Sequence, residues 1–139
     1  MKKTTNKIMI AAALLVAATG IASAQAMKAD VPFAFRVGDT VMAAGTYRVE
    51  VNTSNKLVSL SSYETKQHIA ILSSGGSDAS KEWRTAGVPV LEFACGEGRC
   101  ALTRLWDGAD RTALSLPHRS LGPGQTALTL IRLVRASGE

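Results

Sequence analysis

Thr46-Tyr47-Arg48-Val49-Glu50-Val51 alternates polar and apolar side chains without a break. That two-residue beat belongs to a strand with one face buried, because successive side chains on a strand point to opposite sides. Upstream, Val31, Phe33, Phe35 and Val37 keep the beat against Pro32, Ala34 and Arg36, and Gly38-Asp39 then turns the chain. Downstream, Asn52-Thr53-Ser54-Asn55 ends the run with residues that bond their own backbone in turns. This predicts a hairpin leading into residues 57–61, with residues 68–72 as the next strand. Residues 73–80 hold no apolar side chain larger than alanine, which predicts an exposed loop and the most mobile segment.

Further along, residues 88–93 and 101–106 are both strand-like and flank Cys95-Gly96-Glu97-Gly98-Arg99-Cys100. The two glycines supply the positive φ angles of a tight reversal. An even cysteine count in an exported chain predicts a Cys95–Cys100 disulfide stapling the hairpin tip, a restriction of the unfolded chain amounting to roughly 2 kcal/mol. A redox or metal role is disfavoured by the spacing and by the lack of a nearby histidine or third cysteine. Asp107-Gly108-Ala109-Asp110 reads as a turn, residues 112–116 as a short strand stopped by Pro117, and Leu121-Gly122-Pro123-Gly124 as a break. In residues 128–134 both faces are apolar, which predicts a central strand. Pro32 and Pro89 are expected at edges or strand starts, where a missing donor is tolerated. With no helical period in this region, the expected fold is all-β, a single small antiparallel sandwich or barrel.

The N-terminus carries a separate message. Lys2, Lys3 and Lys7 form a basic start without an acid, and residues 8–21 are apolar apart from Thr19 and Gly20. Ala22-Ser23-Ala24-Gln25-Ala26 then offers the small residues that a signal peptidase requires. The expectation is a cleaved signal peptide over residues 1–26, with cleavage after Ala26 first and after Ala24 second, followed by a single β domain over residues 27–139. The apolar core is shorter than the about 20 residues of a spanning helix, and the cleavage point lacks the cysteine of a lipoprotein. No stable membrane insertion is expected after processing, and the location is periplasmic or extracellular. Loss of the three signal lysines takes the net charge from +5 to +2. The remaining basic residues are interleaved with acids, as in Asp78/Lys81/Glu82/Arg84, so nucleic acid is not an expected partner.

Val31-Pro32-Phe33-Ala34-Phe35-Arg36-Val37-Gly38, followed by Ala44-Gly45-Thr46-Tyr47-Arg48-Val49, resembles the opening of small secreted proteins abundant in acidobacterial genomes. Their pattern is V-P-F-x-F-x-V-G and then A-G-x-Y-x-V, a packing motif of two aromatic residues, a turn and a returning tyrosine. The resemblance covers about the first quarter of the processed chain. Met42-Ala43 replaces the usual leucine and proline, and the Cys95/Cys100 pair is not a general feature of that family. What it implies is export and β structure; it carries no functional residue.

Candidate chemistry is sparse. His68 and His118 are the only histidines, and no G-x-S-x-G elbow marks a nucleophile, so neither is supported as a catalytic base. Glu97, Asp107 and Asp110 lack the ligand ladder of a calcium loop, and no metal site or cofactor is expected. Trp106, in phase with Leu102, reads as core; Trp83, in the polar segment Lys81-Glu82-Trp83-Arg84, is the candidate ligand-binding residue. The leading functional expectation is an exported non-enzymatic β-domain, binding or structural, whose partner is an envelope protein met by edge-strand pairing or a glycan. The alternatives are a small secreted hydrolase using His68 or His118, and a subunit of a surface assembly.

Overall fold

The computed structural model describes residues 25–109, 112–119 and 126–136. Residues 1–24, with most of the expected signal, lie outside the described residues, as do Asp110 and the break at 121–124. The strands are β1 (Gln25–Val31), β2 (Phe35–Val37), β3 (Thr40–Met42), β4 (Gly45–Asn52), β5 (Leu57–Ser62) and β6 (His68–Leu72). They continue with β7 (Gly75–Asp78), β8 (Val90–Gly96), β9 (Arg99–Trp106), β10 (Thr112–Ser115), β11 (Ala127–Arg132) and β12 (Val134–Arg135). One short helix, α1 (Lys81–Ala86), separates β7 from β8.

A first sheet has the order β12-β1-β4-β5-β6, and a second has β11-β8-β9-β10-β7 with β2 and β3 attached through β9. Pairing is antiparallel except where Arg36 of β2 lies parallel to Ala101 of β9 and at an isolated parallel bridge between Gly38 and His118. One core lies between the sheets, filled from the first by Met27, Tyr47, Val49 and Leu60 and from the second by Phe35, Leu91, Phe93, Leu102 and Leu105. Neither sheet closes on itself among the described residues, so the barrel alternative is excluded and a two-sheet arrangement stands.

The segment from Val31 to Val37 packs as a unit. Residues 31–37 are not one strand, as the alternation suggested. Val31 ends β1 in the first sheet, Pro32 cannot donate to a ladder, and Phe35 begins β2 in the second sheet. The segment is thus a crossing between sheets, and its aromatic rings fill the space beneath it. Phe33 meets Phe93 edge to face at 5.1 Å, Phe35 meets Phe93 at 5.3 Å, and Phe35 meets Tyr47 at 5.3 Å. The Tyr47 hydroxyl donates to the Ala43 carbonyl, four residues upstream, which locks the entry to β4. Burial first, and the Glu64 carboxylate second, push this phenol above its ordinary value, so it stays a donor.

The disulfide forms as expected. Cys95 and Cys100 face each other directly across β8 and β9 and are bonded. Glu97 and Gly98 both take positive φ, 54° and 75°, the geometry of a two-residue hairpin turn.

Three local expectations are corrected. Residues 73–80 are not a loop throughout: Gly75–Asp78 pairs with β10, because backbone bonding needs no apolar side chain. The polar segment 81–86 is helical, capped by Ser80, whose side chain accepts from Trp83 N–H at 3.1 Å, and closed by Gly87 at φ 69°. The apolar C-terminal run is not a central strand. β11 ends the second sheet, the chain crosses at buried Leu133, and β12 ends the first.

Candidate functional site

The outer face of the second sheet, the one turned away from the main core, carries a closely bonded ion pair beneath a short helix. Its construction starts with an irregularity in the β8–β9 hairpin. From the disulfide outward, Cys95 faces Cys100, Ala94 faces Ala101 and Phe93 faces Leu102, but Glu92 then faces Arg104. Thr103 is the extra residue of a β-bulge. The extra residue moves Leu105 onto the core side with Leu102, and it moves Trp106 off that side into a second cluster with Ala79, Trp83, Val90 and Ala113. Trp106 is therefore buried, as expected, but on the opposite face from Leu102; a strict two-residue period fails at the bulge.

The same bulge assembles a charged pair. Arg104 Nε donates to Glu92 Oε2 at 2.8 Å and Arg104 Nη2 to Oε1 at 2.9 Å, a two-pronged contact. The Thr103 hydroxyl lies 3.1 Å from the Glu92 carbonyl oxygen and 3.2 Å from Oε2, its proton shared between them. The Glu92 side chain is 7% exposed and that of Arg104 is 26% exposed. The guanidinium hydrogen bond holds the Glu92 carboxyl below its ordinary value, against the opposing effect of burial. The arginine is held above its own, chiefly by the same bond. With every buried side-chain nitrogen and oxygen satisfied among the described residues, this pair fixes the register of the hairpin and offers no free acid or base.

Over this pair lies α1. Trp83 is only 6% exposed, with its ring 6.5 Å from that of Trp106 in a stacked orientation and with the Arg104 guanidinium 4.6 Å from its centre. The helix turns this tryptophan inward and leaves Lys81, Glu82 and Arg84 to water, so its polar neighbours in sequence do not imply an exposed ring. What remains accessible is an edge of the indole in a groove of about 370 Å³, lined by Glu82, Ala86, Val88, Val90, Leu130 and Arg132 together with Trp83. The groove runs from α1 across β8 to β11.

The edge position and exposure of β11 are what sequence reasoning missed. Leu128 is 66% exposed and Leu130 47% exposed on its outer side, while Thr129 and Ile131 are half-buried. Among the described residues the strand pairs only with β8. The signal was present in the alternation of residues 127–132, but apolar side chains on both faces argued for cover on both faces.

The histidines are brought near other polar groups, though not into a catalytic set. His68 Nδ1 is 2.7 Å from Ser61 Oγ on the open outer face of the first sheet. His118 Nδ1 is 3.0 Å from the Leu116 carbonyl oxygen, beside the exposed Asp39–Arg119 pair. A triad needs a nucleophile, a base and an orienting acid in one place, and neither histidine has that company among the described residues. Glu97 is exposed at the hairpin tip, Asp107 Oδ1 accepts from Ala109 N–H, and Asp110 lies outside the described residues. Among the described residues no three metal-ligating side chains come together, and no helix is long and apolar enough to cross a membrane.

No family model, curated protein or solved structure matches the chain. The site is thus read from its own geometry.

Proposed function

We propose that this chain is an exported, non-enzymatic β-domain of the acidobacterial secreted type that binds an extended segment of an envelope protein by strand addition to β11. The observation that carries the proposal is the unprotected edge. Sheet ends are normally blunted by charge, proline, bulges or short length. Among the other ends, β6 exposes one large apolar side chain, Leu72, and three follow that rule: β12 is two residues long, β3 is three, and β7 is Gly75-Gly76-Ser77-Asp78. β11 does not. Its first five residues, Ala127-Leu128-Thr129-Leu130-Ile131, contain no charge, proline or glycine, and two of them are large and exposed.

Strand addition uses such an edge: backbone bonds supply affinity, and apolar side chains at alternate positions supply selectivity. The groove beside Leu130 continues the apolar strip toward α1. A glycan is less well served, because the tryptophan required to stack on a sugar ring is turned inward against Trp106. Hydrolysis by His68 or His118 has no assembled partner set to support it among the described residues.

Site-specific photocrosslinking in the exported full-length chain tests the reading. A photoreactive residue at Leu128 or Leu130 is expected to give one discrete protein adduct, lost when Thr129→Pro removes strand pairing, whereas the same probe at Ser59 gives none. No adduct at either leucine overturns the proposal. An adduct with a second copy of this chain replaces it with the surface-assembly reading.

A further inference from the structure

We propose that the export signal is removed between Ala24 and Gln25, so that the processed chain begins at Gln25. The inference rests on the export reading above and deepens it. Two overlapping pairs of small residues stand in the sequence, Ala22/Ala24 and Ala24/Ala26, and the peptidase's demand for small side chains accepts either. Taken alone, that demand does not choose between the two bonds. The fold does.

β1 runs from Gln25 to Val31, and all seven of its residues stand in register with β4, Gln25 opposite Val51 and Ala26 opposite Glu50. The Ala26 carbonyl also accepts from Ala136 N–H at 3.2 Å, which ties the chain beyond β12 to β1. A cut after Ala26 discards that carbonyl with the signal. It strips the end of β4 of two opposing residues, and unpaired backbone groups at a covered position cost stability.

The same cut places the new ammonium on Met27, between Val49 of β4 and Arg135 of β12, two residues further into the sheet than Gln25. A cut after Ala24 leaves every one of these pairings in place and sets the new charge at the outer end of the strand. Cleavage acts on the translocating chain before it folds, so both bonds are open to the enzyme. Only the earlier one releases a chain that keeps all seven β1–β4 pairs and the Ala26 carbonyl that Ala136 bonds.

Intact mass and N-terminal sequencing of the full chain, expressed in a bacterial host and recovered from periplasm or medium, test the assignment. The expected product starts at Gln25, with or without loss of ammonia by cyclisation of an N-terminal glutamine. Two variants sharpen the result. Ala26→Gln, which spoils only the later site, is expected to keep the start at Gln25. Ala22→Gln, which spoils only the earlier site, is expected to move it to Met27 and to give a product that melts at lower temperature. A wild-type product starting at Met27 overturns the proposal and leaves the export reading standing. A product that retains residues 1–24 overturns the export reading itself. A Met27 product as stable as the Gln25 product removes the physical basis for preferring the earlier bond, and the proposal falls with it.

Discussion

The outer faces of the two sheets are built on opposite plans. On the first sheet, Lys28 and Asp30 are exposed, and Arg48, Glu50, Ser59 and Ser61 are half-exposed, so β1, β4 and β5 show water their polar half. On the second sheet, Val90, Trp106 and Ala113 are buried with Trp83 and Ala79, while Glu92 is closed over by Arg104 and Thr103. The difference comes from one short helix and one extra residue. α1 covers what the second sheet would otherwise expose, and the Thr103 bulge decides which side chains are there to be covered. A sheet face becomes a second core when the chain supplies a lid for it, and the cover ends where the lid ends. Leu128 and Leu130 lie beyond it.

The contrast yields graded tests. Trp106→Ala empties the centre of the covered face and is expected to lower unfolding free energy by about 3–5 kcal/mol in urea denaturation, the range for large-to-small changes of buried aromatics. A loss below about 1 kcal/mol would show that the second cluster is not a core and would erase the distinction between the faces.

Glu92→Ala removes the carboxylate from Arg104. Breaking a fully buried pair costs about 3–5 kcal/mol, but the arginine keeps 26% of its side chain in water and recovers part of its hydration. About 2 kcal/mol is expected. The wild type should show the same contribution through pH. Because the folded carboxyl titrates below its ordinary 4.5, its stabilisation is complete above that pH and is lost as pH falls below 4.5 through the depressed value. Thermal melts of wild type and Glu92→Ala between pH 6 and 2 therefore converge on the acid side; parallel curves would contradict the assigned shift.

Ser61→Ala, on the open face of the first sheet, should change stability by less than about 0.5 kcal/mol, the ordinary scale for exposed positions. A larger loss would mean that the Ser61–His68 contact is structural, and the first sheet's outer face would then be less passive than its exposure indicates.

How much of this was legible in the chain depends on the range of the forces involved. The beat of Tyr47, Val49 and Val51 located β4 and its buried side, the Gly-rich tip between Cys95 and Cys100 located the stapled hairpin, and residues 68–72 matched β6. These features rest on neighbours a few residues apart. The failures lie where a distant partner intervenes. Nothing local marks Pro32 as a crossing between sheets, since the beat of Val31, Phe35 and Val37 survives the change of sheet. Nothing local announces that Glu92 will meet Arg104, because extrapolation from the disulfide places it opposite Thr103. Trp83 reads as exposed for the same reason: its cover is Trp106, a residue on another element.

By itself, then, the order of residues determined that the chain forms strands, where most of them run, and that its two cysteines meet, because side-chain alternation and turn chemistry act within a few residues. Tertiary structure alone decided which sheet each strand joins, which face α1 covers, and which edge is left open at β11. Those outcomes depend on the bulge at Thr103 and on contacts between segments far apart in the chain, where burial is shared by both partners and written in neither.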